Sequence, residues 1–252
     1  MLGGYAGKIL DVNLETGELK DKTLDEGILR MYLGGKGLGL KLIYDEFRDD
    51  MQPFDPDNLL VFATGPATGA RVPTSGRYHI LTSKSPLTGA VGSGNSGGKW
   101  GPYLKFAGYD AVVVRGISEK PVYLTIINGK AELVEAPDIW GMTVTAVTQE
   151  LLDRVGTDPK KTSIACIGPA GENLISFACI MNDEYRTAGR TGSGAVMGSK
   201  KLKAILVSGN QRQKSANPEM LVEKVTESMS LIRENPVTGP KEVFTFTELQ
   251  SL

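Results

Sequence analysis

Two short runs set an arginine directly after a glycine, Thr74-Ser75-Gly76-Arg77 and Thr187-Ala188-Gly189-Arg190. Between them lies Ser93-Gly94-Asn95-Ser96-Gly97-Gly98-Lys99-Trp100-Gly101, a loop with four glycines that gives way to a short helix expected at 103–107. A guanidinium fork holds two phosphate oxygens at once. Glycines let a backbone come close to a ligand, and the first amides of a helix are free to hold an anion. Such a constellation could cradle a phosphate; a tight buried turn accounts for the glycines of the loop equally well. Lys36, within Gly34-Gly35-Lys36-Gly37, reads in the same two ways, as an anion contact or as part of a helix–helix turn.

Other reactive side chains point to structure more than to catalysis. The chain has one histidine, His79, inside the strand-like Tyr78-His79-Ile80-Leu81, and two cysteines, Cys166 and Cys179, each in an apolar run. Cysteines so placed behave as small buried hydrophobes. They form neither a CxxC pair nor a metal-spaced set, so a zinc site of the usual kind or a four-cysteine iron–sulfur site is not expected from these residues. Glu172 and Asp183 sit in or beside turns and are expected to make a salt bridge or cap a turn. No catalytic residue and no protein metal ligand is assigned.

The elements that must position these residues alternate without a regular βαβ order. A hairpin is expected from a strand over 7–14 and a second strand starting at Leu19, then a helix capped by Thr23 over 24–33, a second helix over 38–47 and a buried strand over 59–63. A strand follows at 111–114, then a hairpin around Asn128-Gly129, the strongest short hairpin signal. Next come a helix over 143–155, strands over 161–167 and 174–181, a Gly-rich loop with a short helix over 185–199, and a strand over 202–207. A polar linker over 208–218 leads to a helix over 219–233, and a β-like alternation begins at 243. The mixture fits an α+β fold.

An internal repeat is visible in outline across 60–116 and 164–209. Leu60-Val61-Phe62-Ala63 leads to Gly65-Pro66-Ala67, and Ile164-Ala165-Cys166-Ile167 leads to Gly168-Pro169-Ala170. The two Thr-x-Gly-Arg runs also match, and each half closes with an apolar strand and a glycine, Gly116 and Gly209. Two similar sheet-containing halves are therefore expected, each presenting an arginine and a Gly-rich turn to one ligand.

The 252 residues carry a formal net charge of −1, which gives no reason to expect nucleic acid or an anionic membrane as partner. No apolar stretch approaches a transmembrane span, and no secretory signal is evident. A cytoplasmic protein is the expectation.

Longer matches name a family. Gly65-Pro66-x-Thr68-Gly69, Gly76-Arg77-Tyr78, Ser83-Lys84-Ser85-Pro86-Leu87-Thr88-Gly89, Asn95-Ser96-Gly97-Gly98, Leu104 to Asp110, Ile167 to Asn173 and Gly189-Arg190 through Met197-Gly198-Ser199-Lys200 stand in order along the chain. Over 1–209 it resembles the N-terminal domain of the tungsten-containing aldehyde ferredoxin oxidoreductases. The resemblance implies a layered base for a tungsten-bis(molybdopterin) cofactor (tungstopterin), with Arg77, Asn95 and Gly97 on one side and Arg186, Thr187, Ala188, Gly189 and Arg190 on the other. Thr187 stands where some members have alanine.

The resemblance also implies oxidation of a small aldehyde to its acid, with electrons passing through a [4Fe–4S] cluster to ferredoxin. The cluster's cysteines belong to later domains and are not in this chain. Residues 210–252 are then a linker and the start of a second domain. The chain by itself is expected to be inactive, completed by C-terminal domains or a separate subunit, and able to form a homodimer through its uncovered face. Two other readings stand beside this one: a non-enzymatic pterin carrier or subunit of a split oxidoreductase, and a nucleotide- or flavin-binding module. Gly92-x-Gly94-x-x-Gly97 has the spacing of the last, without a convincing strand directly before it.

Overall fold

Each half of the chain folds into its own sheet, and the two sheets have the same topology. A computed structural model describes residues 2–235, 237 and 238; the alternation expected from 243 lies outside the described residues. The first half runs β1 (Lys8–Asn13), β2 (Leu19–Thr23), α1 (Glu26–Tyr32), α2 (Gly35–Tyr44), β3 (Leu60–Thr64), β4 (Tyr78–Thr82), β5 (Gly92–Ser96), α3 (Trp100–Phe106) and β6 (Ala111–Arg115). The second runs β7 (Val122–Ile127), β8 (Lys130–Glu135), α4 (Val144–Val155), β9 (Thr162–Cys166), α5 (Pro169–Glu172), β10 (Ile180–Asn182), β11 (Arg186–Ala188), α6 (Ser193–Ser199) and β12 (Leu202–Ser208). A further helix, α7 (Pro218–Glu234), follows.

The six-stranded sheets are ordered β2-β1-β6-β3-β4-β5 and, read from the corresponding edge, β8-β7-β12-β9-β10-β11. In each, the last strand lies parallel to the first strand of the hairpin and antiparallel to the third strand of its half. The sheets face each other across a shared core of Leu10, Phe62, Tyr78 and Val112 from one and Leu124, Ala165, Ile180 and Ile205 from the other, with Trp100, Leu104, Val196 and Met197 between them. The outer face of the first sheet packs on α1 and α2 through Val61, Ala63, Leu81, Leu29 and Leu38. That of the second packs on α4 through Ile164, Cys166, Leu206, Val147 and Leu151. Both faces of the central strands are covered, which is why β3 and β9 are buried throughout instead of alternating.

Local chemistry sets the boundaries. Thr143 accepts from the Ala146 amide to start α4, and Gly156, in the left-handed region, ends it. The cap of α1 is Asp25, which accepts from Gly27 and Ile28, and not Thr23, which is still pairing with Lys8 in the hairpin. The 93–101 stretch is a loop only in its second part: its first residues form the edge strand β5, and α3 begins at Trp100, ahead of the expected 103. Trp100 fixes that start, because its ring stacks near Phe62 and Tyr78 and its Nε1 donates to the Ile205 carbonyl at 3.0 Å. The strand expected over 174–181 is confined to Ile180–Asn182. Upstream, the amides of Leu174, Ile175 and Ala178 bond to Gly171, Ala170 and Ile175, so local turns take the backbone groups that a strand would need.

Strand register aligns the halves residue by residue. Ala63 pairs with Ala111 and His79, and Cys166 pairs with Ala204 and Met181. His79 then pairs with Asn95, and Met181 with Thr187. Asn95 therefore corresponds to Thr187, Gly97 to Gly189, and Gly116 to Gly209. The Thr-x-Gly-Arg match is overturned by this register. Arg77 precedes β4, whereas Arg190 follows β11, and the position equivalent to Arg77 is Cys179.

Candidate functional site

The two edge strands β5 and β11, one from each sheet, lie side by side along a seam between the halves. A Cβ built on Gly94 would stand 3.4 Å from the Ala188 Cβ and 3.5 Å from the Arg190 carbonyl oxygen. Every residue expected at the site falls on or beside this seam. Arg77 lies at the start of β4 and donates through Nη1 to Asn95 Oδ1 at 2.5 Å. Arg77, Asn95, Arg186, Thr187, Gly189 and Arg190 are exposed, and Gly97 is half-buried. Ala188 differs: its side chain is buried in the shared core, so only its backbone can meet a ligand.

The seam is held by a residue that the sequence did not single out. Asn182, fully buried at the end of β10, uses both ends of its amide. Its Oδ1 accepts from the Tyr78 hydroxyl at 3.0 Å and the Ser96 hydroxyl at 2.6 Å; its Nδ2 donates to the Gly97 carbonyl and to Asp183 Oδ2, each at 3.0 Å. Asp183 in turn accepts from the Lys99 amide at 2.6 Å and from the Ser163 hydroxyl at 2.5 Å. Asp183 is thus a cap reaching across the halves. Burial, with the Asp183 charge adding, raises the Tyr78 pKa well above its ordinary value, so the phenol stays a donor. Asn182 follows an apolar run, and only the pairing of the halves gives it neighbours. Ser85 adds a second crossing, donating to the Thr191 carbonyl at 2.7 Å.

The charge balance of the seam is one-sided. Arg77 makes no ion pair, and Arg186 and Arg190 make neither an ion pair nor a side-chain hydrogen bond among the described residues. Asp183 is spent on its caps. Apart from Glu184 in the β10–β11 turn, what remains is cationic, and its three arginines can hold an anionic ligand that also offers hydrogen-bonding edges.

Gly97 and Gly189 carry a further signal. Among the described residues, a Cβ on Gly97 would meet nothing within 4 Å, and one on Gly189 would meet only the Thr187 side chain at 3.7 Å. Neither residue lies in the left-handed region. Their own fold does not require glycine at these equivalent positions, in contrast to Gly198, where a side chain would run into the Gly171 backbone. Gly65 and Gly168, each just before a proline, are similarly unconstrained.

Cys166 and Glu172 are structural, as expected, whereas Cys179 is not fully buried. Cys166 is buried, and its thiol is pushed up to about 11 by that burial. Glu172 accepts from the Gly141 amide and pairs with the buried Lys203. Cys179 is half-exposed, with its sulfur 3.7 Å from that of Met181. No helix among the described residues is long and apolar enough to cross a membrane.

Comparison with known proteins agrees with the geometry. The family model described as aldehyde ferredoxin oxidoreductase, N-terminal domain, matches residues 9–209. The tungsten-containing aldehyde ferredoxin oxidoreductase of Pyrococcus horikoshii is 46% identical over 236 residues, covering 94% of this chain and 38% of that protein. The WOR-like subunit of an aliphatic sulfonate oxidoreductase from Pyrococcus furiosus is 37% identical, with 82% of this chain and 35% of that one covered. Among solved structures, the active site complex BamBC of benzoyl coenzyme A reductase superimposes with a TM-score of 0.91 at 33% identity, covering 97% of this chain and 37% of that one. The chain spans about 38% of the length of the curated relatives it matches. By family match, sequence identity and fold together, this chain belongs to the aldehyde ferredoxin oxidoreductase family and carries its N-terminal domain.

Proposed function

We propose that the chain is the platform for a tungsten-bis(molybdopterin) cofactor in an enzyme that oxidises a small aldehyde to its carboxylic acid and passes the electrons to ferredoxin. The observation that carries this reading is the pair Gly97 and Gly189. Two glycines at equivalent positions, required by neither backbone conformation nor protein packing, make sense where two similar parts of one ligand pass close to the backbone. The residues fit such a ligand. Arg77, Arg186 and Arg190 can neutralise its phosphates bidentately. Asn95 has an amide that can donate and accept at a pterin edge. The Thr187 hydroxyl is a further donor on the other side, and Ala188 is limited to its backbone.

When bound, the cofactor supplies the redox metal, and the protein's part is to hold and orient it. Asn182 fixes the Gly97 carbonyl, so the shape of the platform on one half is set by the other. The domain would span 1–209, with 210–252 leading into a second domain. The linker is already tied to the first, since Gln211 N donates to the Phe106 carbonyl and Gln213 Nε2 to that of Lys105. The [4Fe–4S] cluster, the closing of the aldehyde cavity and the ferredoxin contact fall to later domains or a separate subunit. A cytoplasmic enzyme able to form a homodimer completes the proposal. The test is elemental and pterin analysis of the protein purified with whatever polypeptide accompanies it. Tungsten with two pterins per metal is expected; folded protein with neither metal nor pterin contradicts the reading.

A further inference from the structure

The half that carries Arg77 holds more cationic chemistry than the platform described above uses. His79 stands two residues after Arg77, pairs in register with Asn95, and lies against the first turn of α2. A Cβ placed on Gly35 would be 3.1 Å from its Cδ2 and 3.7 Å from its Nε2. The Nδ1 atom is buried with no hydrogen-bond partner, and Nε2 has none among the described residues. Burial lowers the imidazole pKa, and the charges of Lys36 on α2 and Arg77 ahead of β4 lower it further; no carboxylate acts on it. Lys36 is exposed, and like Arg77 it has no ion pair among the described residues. Two segments thus bring three basic groups together, Lys36 from α2 and Arg77 with His79 from the start of β4, and Arg77 and His79 both meet Asn95.

The other half has nothing comparable at the equivalent place. Register puts Met181 opposite His79 and Cys179 opposite Arg77, and those two sulfurs touch each other. The free cations of that half, Arg186 and Arg190, follow β10 and sit where the first half has Gly94 and Gly98.

We infer that Lys36, Arg77 and His79 form a phosphate subsite particular to the first half, so that two phosphate-bearing arms of one ligand are held by different chemistry. A lysine, an arginine and an imidazole hold one arm, and a pair of arginines holds the other. The inference rests on the cofactor reading only for what carries the phosphate. A phosphate dianion at the subsite reverses the field on His79: the imidazole that two cations keep neutral gains a counter-charge, takes up a proton and donates to an oxygen. The proton comes from solvent, and no covalent bond changes.

Because His79 is the only histidine in the chain, its ring gives a single set of imidazole signals in NMR. The experiment titrates those signals with pH, with and without inorganic phosphate and then pyrophosphate. Phosphate should raise the His79 pKa by about one unit or more, equivalent to about tenfold tighter binding to the protonated ring. Lys36→Met should weaken phosphate binding at least about tenfold, the loss of one charged hydrogen bond. Cys179→Ser and Met181→Leu, at the matching positions, should leave it unchanged. A His79 curve unmoved by either anion, in protein whose amide spectrum remains folded, overturns the subsite.

The cofactor reading fails or stands separately. Folded protein with neither tungsten nor pterin defeats that reading and leaves a responsive His79 as a free-phosphate site. Tungsten and pterin present with a silent His79 defeat only the subsite.

Discussion

Asn182 Nδ2 donates to the carbonyl oxygen of Gly97 at 3.0 Å, joining the last residue of a strand in one sheet to the turn that leaves the edge strand of the other. The same amide satisfies Tyr78 and Ser96. Replacing it with leucine removes four hydrogen bonds and leaves two buried hydroxyls and a carbonyl to find new partners. The expected cost is about 3 kcal/mol or more, since each of three polar groups left unpaired costs roughly 1–3 kcal/mol. The midpoint of urea unfolding should fall with little change in slope, and the amide resonances of Gly97 and Lys99 should shift most.

The architecture was legible in the sequence where pattern and punctuation agree. The strands β3, β9 and β12, the Asn128-Gly129 turn and the helix expected over 143–155 all appear at or within a residue or two of their expected places. The duplication was visible through the two Gly-Pro-Ala turns. Its register was not, because the Thr-x-Gly-Arg resemblance competes with hydrogen-bonded pairing, and only the pairing shows that Arg77 matches Cys179. The edge strand β5 was hidden because Gly92-Ser93-Gly94-Asn95-Ser96 has no β-propensity; β4 pairing on one side and the β11 contact on the other hold it extended. Arg77, Arg190 and the glycine-rich 93–101 stretch stood out by residue type, and Arg186, Thr187 and Ala188 through resemblance, whereas the partners of Asn182 lie far away in sequence.

The buried pair of Lys203 and Glu172 offers a second test. Both side chains are nearly inaccessible, and Lys203 also donates to the Met142 carbonyl at 2.8 Å. Removing one partner alone, as in Glu172→Leu, should cost about 3–5 kcal/mol because a buried ammonium is left without its counter-charge. Lys203→Met with Glu172→Leu should recover most of that loss. Thermal unfolding of the two single variants and the double variant measures the coupling.

Lys200 predicts a pH dependence. It is fully buried and donates to the Pro56 and Gly116 carbonyls at 3.0 and 3.2 Å, with no carboxylate within ion-pair reach among the described residues. Burial brings its pKa down to about 7; Asp57 and Asp55 oppose the change and Arg115 adds to it. Between about pH 7 and the ordinary lysine value near 10.4, the unfolded chain holds this proton and the folded one does not. Stability from this group therefore rises with pH across that window, and the full cost of burying the charge is present below it. Relative to Lys200→Met, the natural protein should gain stability from pH 7 to 10 by up to ~1.4 kcal/mol per pH unit. Parallel urea titrations of the two proteins would show a constant difference if Lys200 titrated normally.

The central claim is that one ligand meets both halves at Gly97 and Gly189, and the most direct measurement is bound tungsten per chain in Gly97→Ala, Gly189→Ala and the double variant. Each is compared with the natural protein produced under the same conditions with its accompanying polypeptide. A Cβ at either position meets no close protein atom, so unfolding free energies should stay within about 0.5 kcal/mol of the natural protein. The account predicts that each single variant loses tungsten and the double variant loses it entirely while remaining folded. Variants that keep as much tungsten as the natural protein would contradict it.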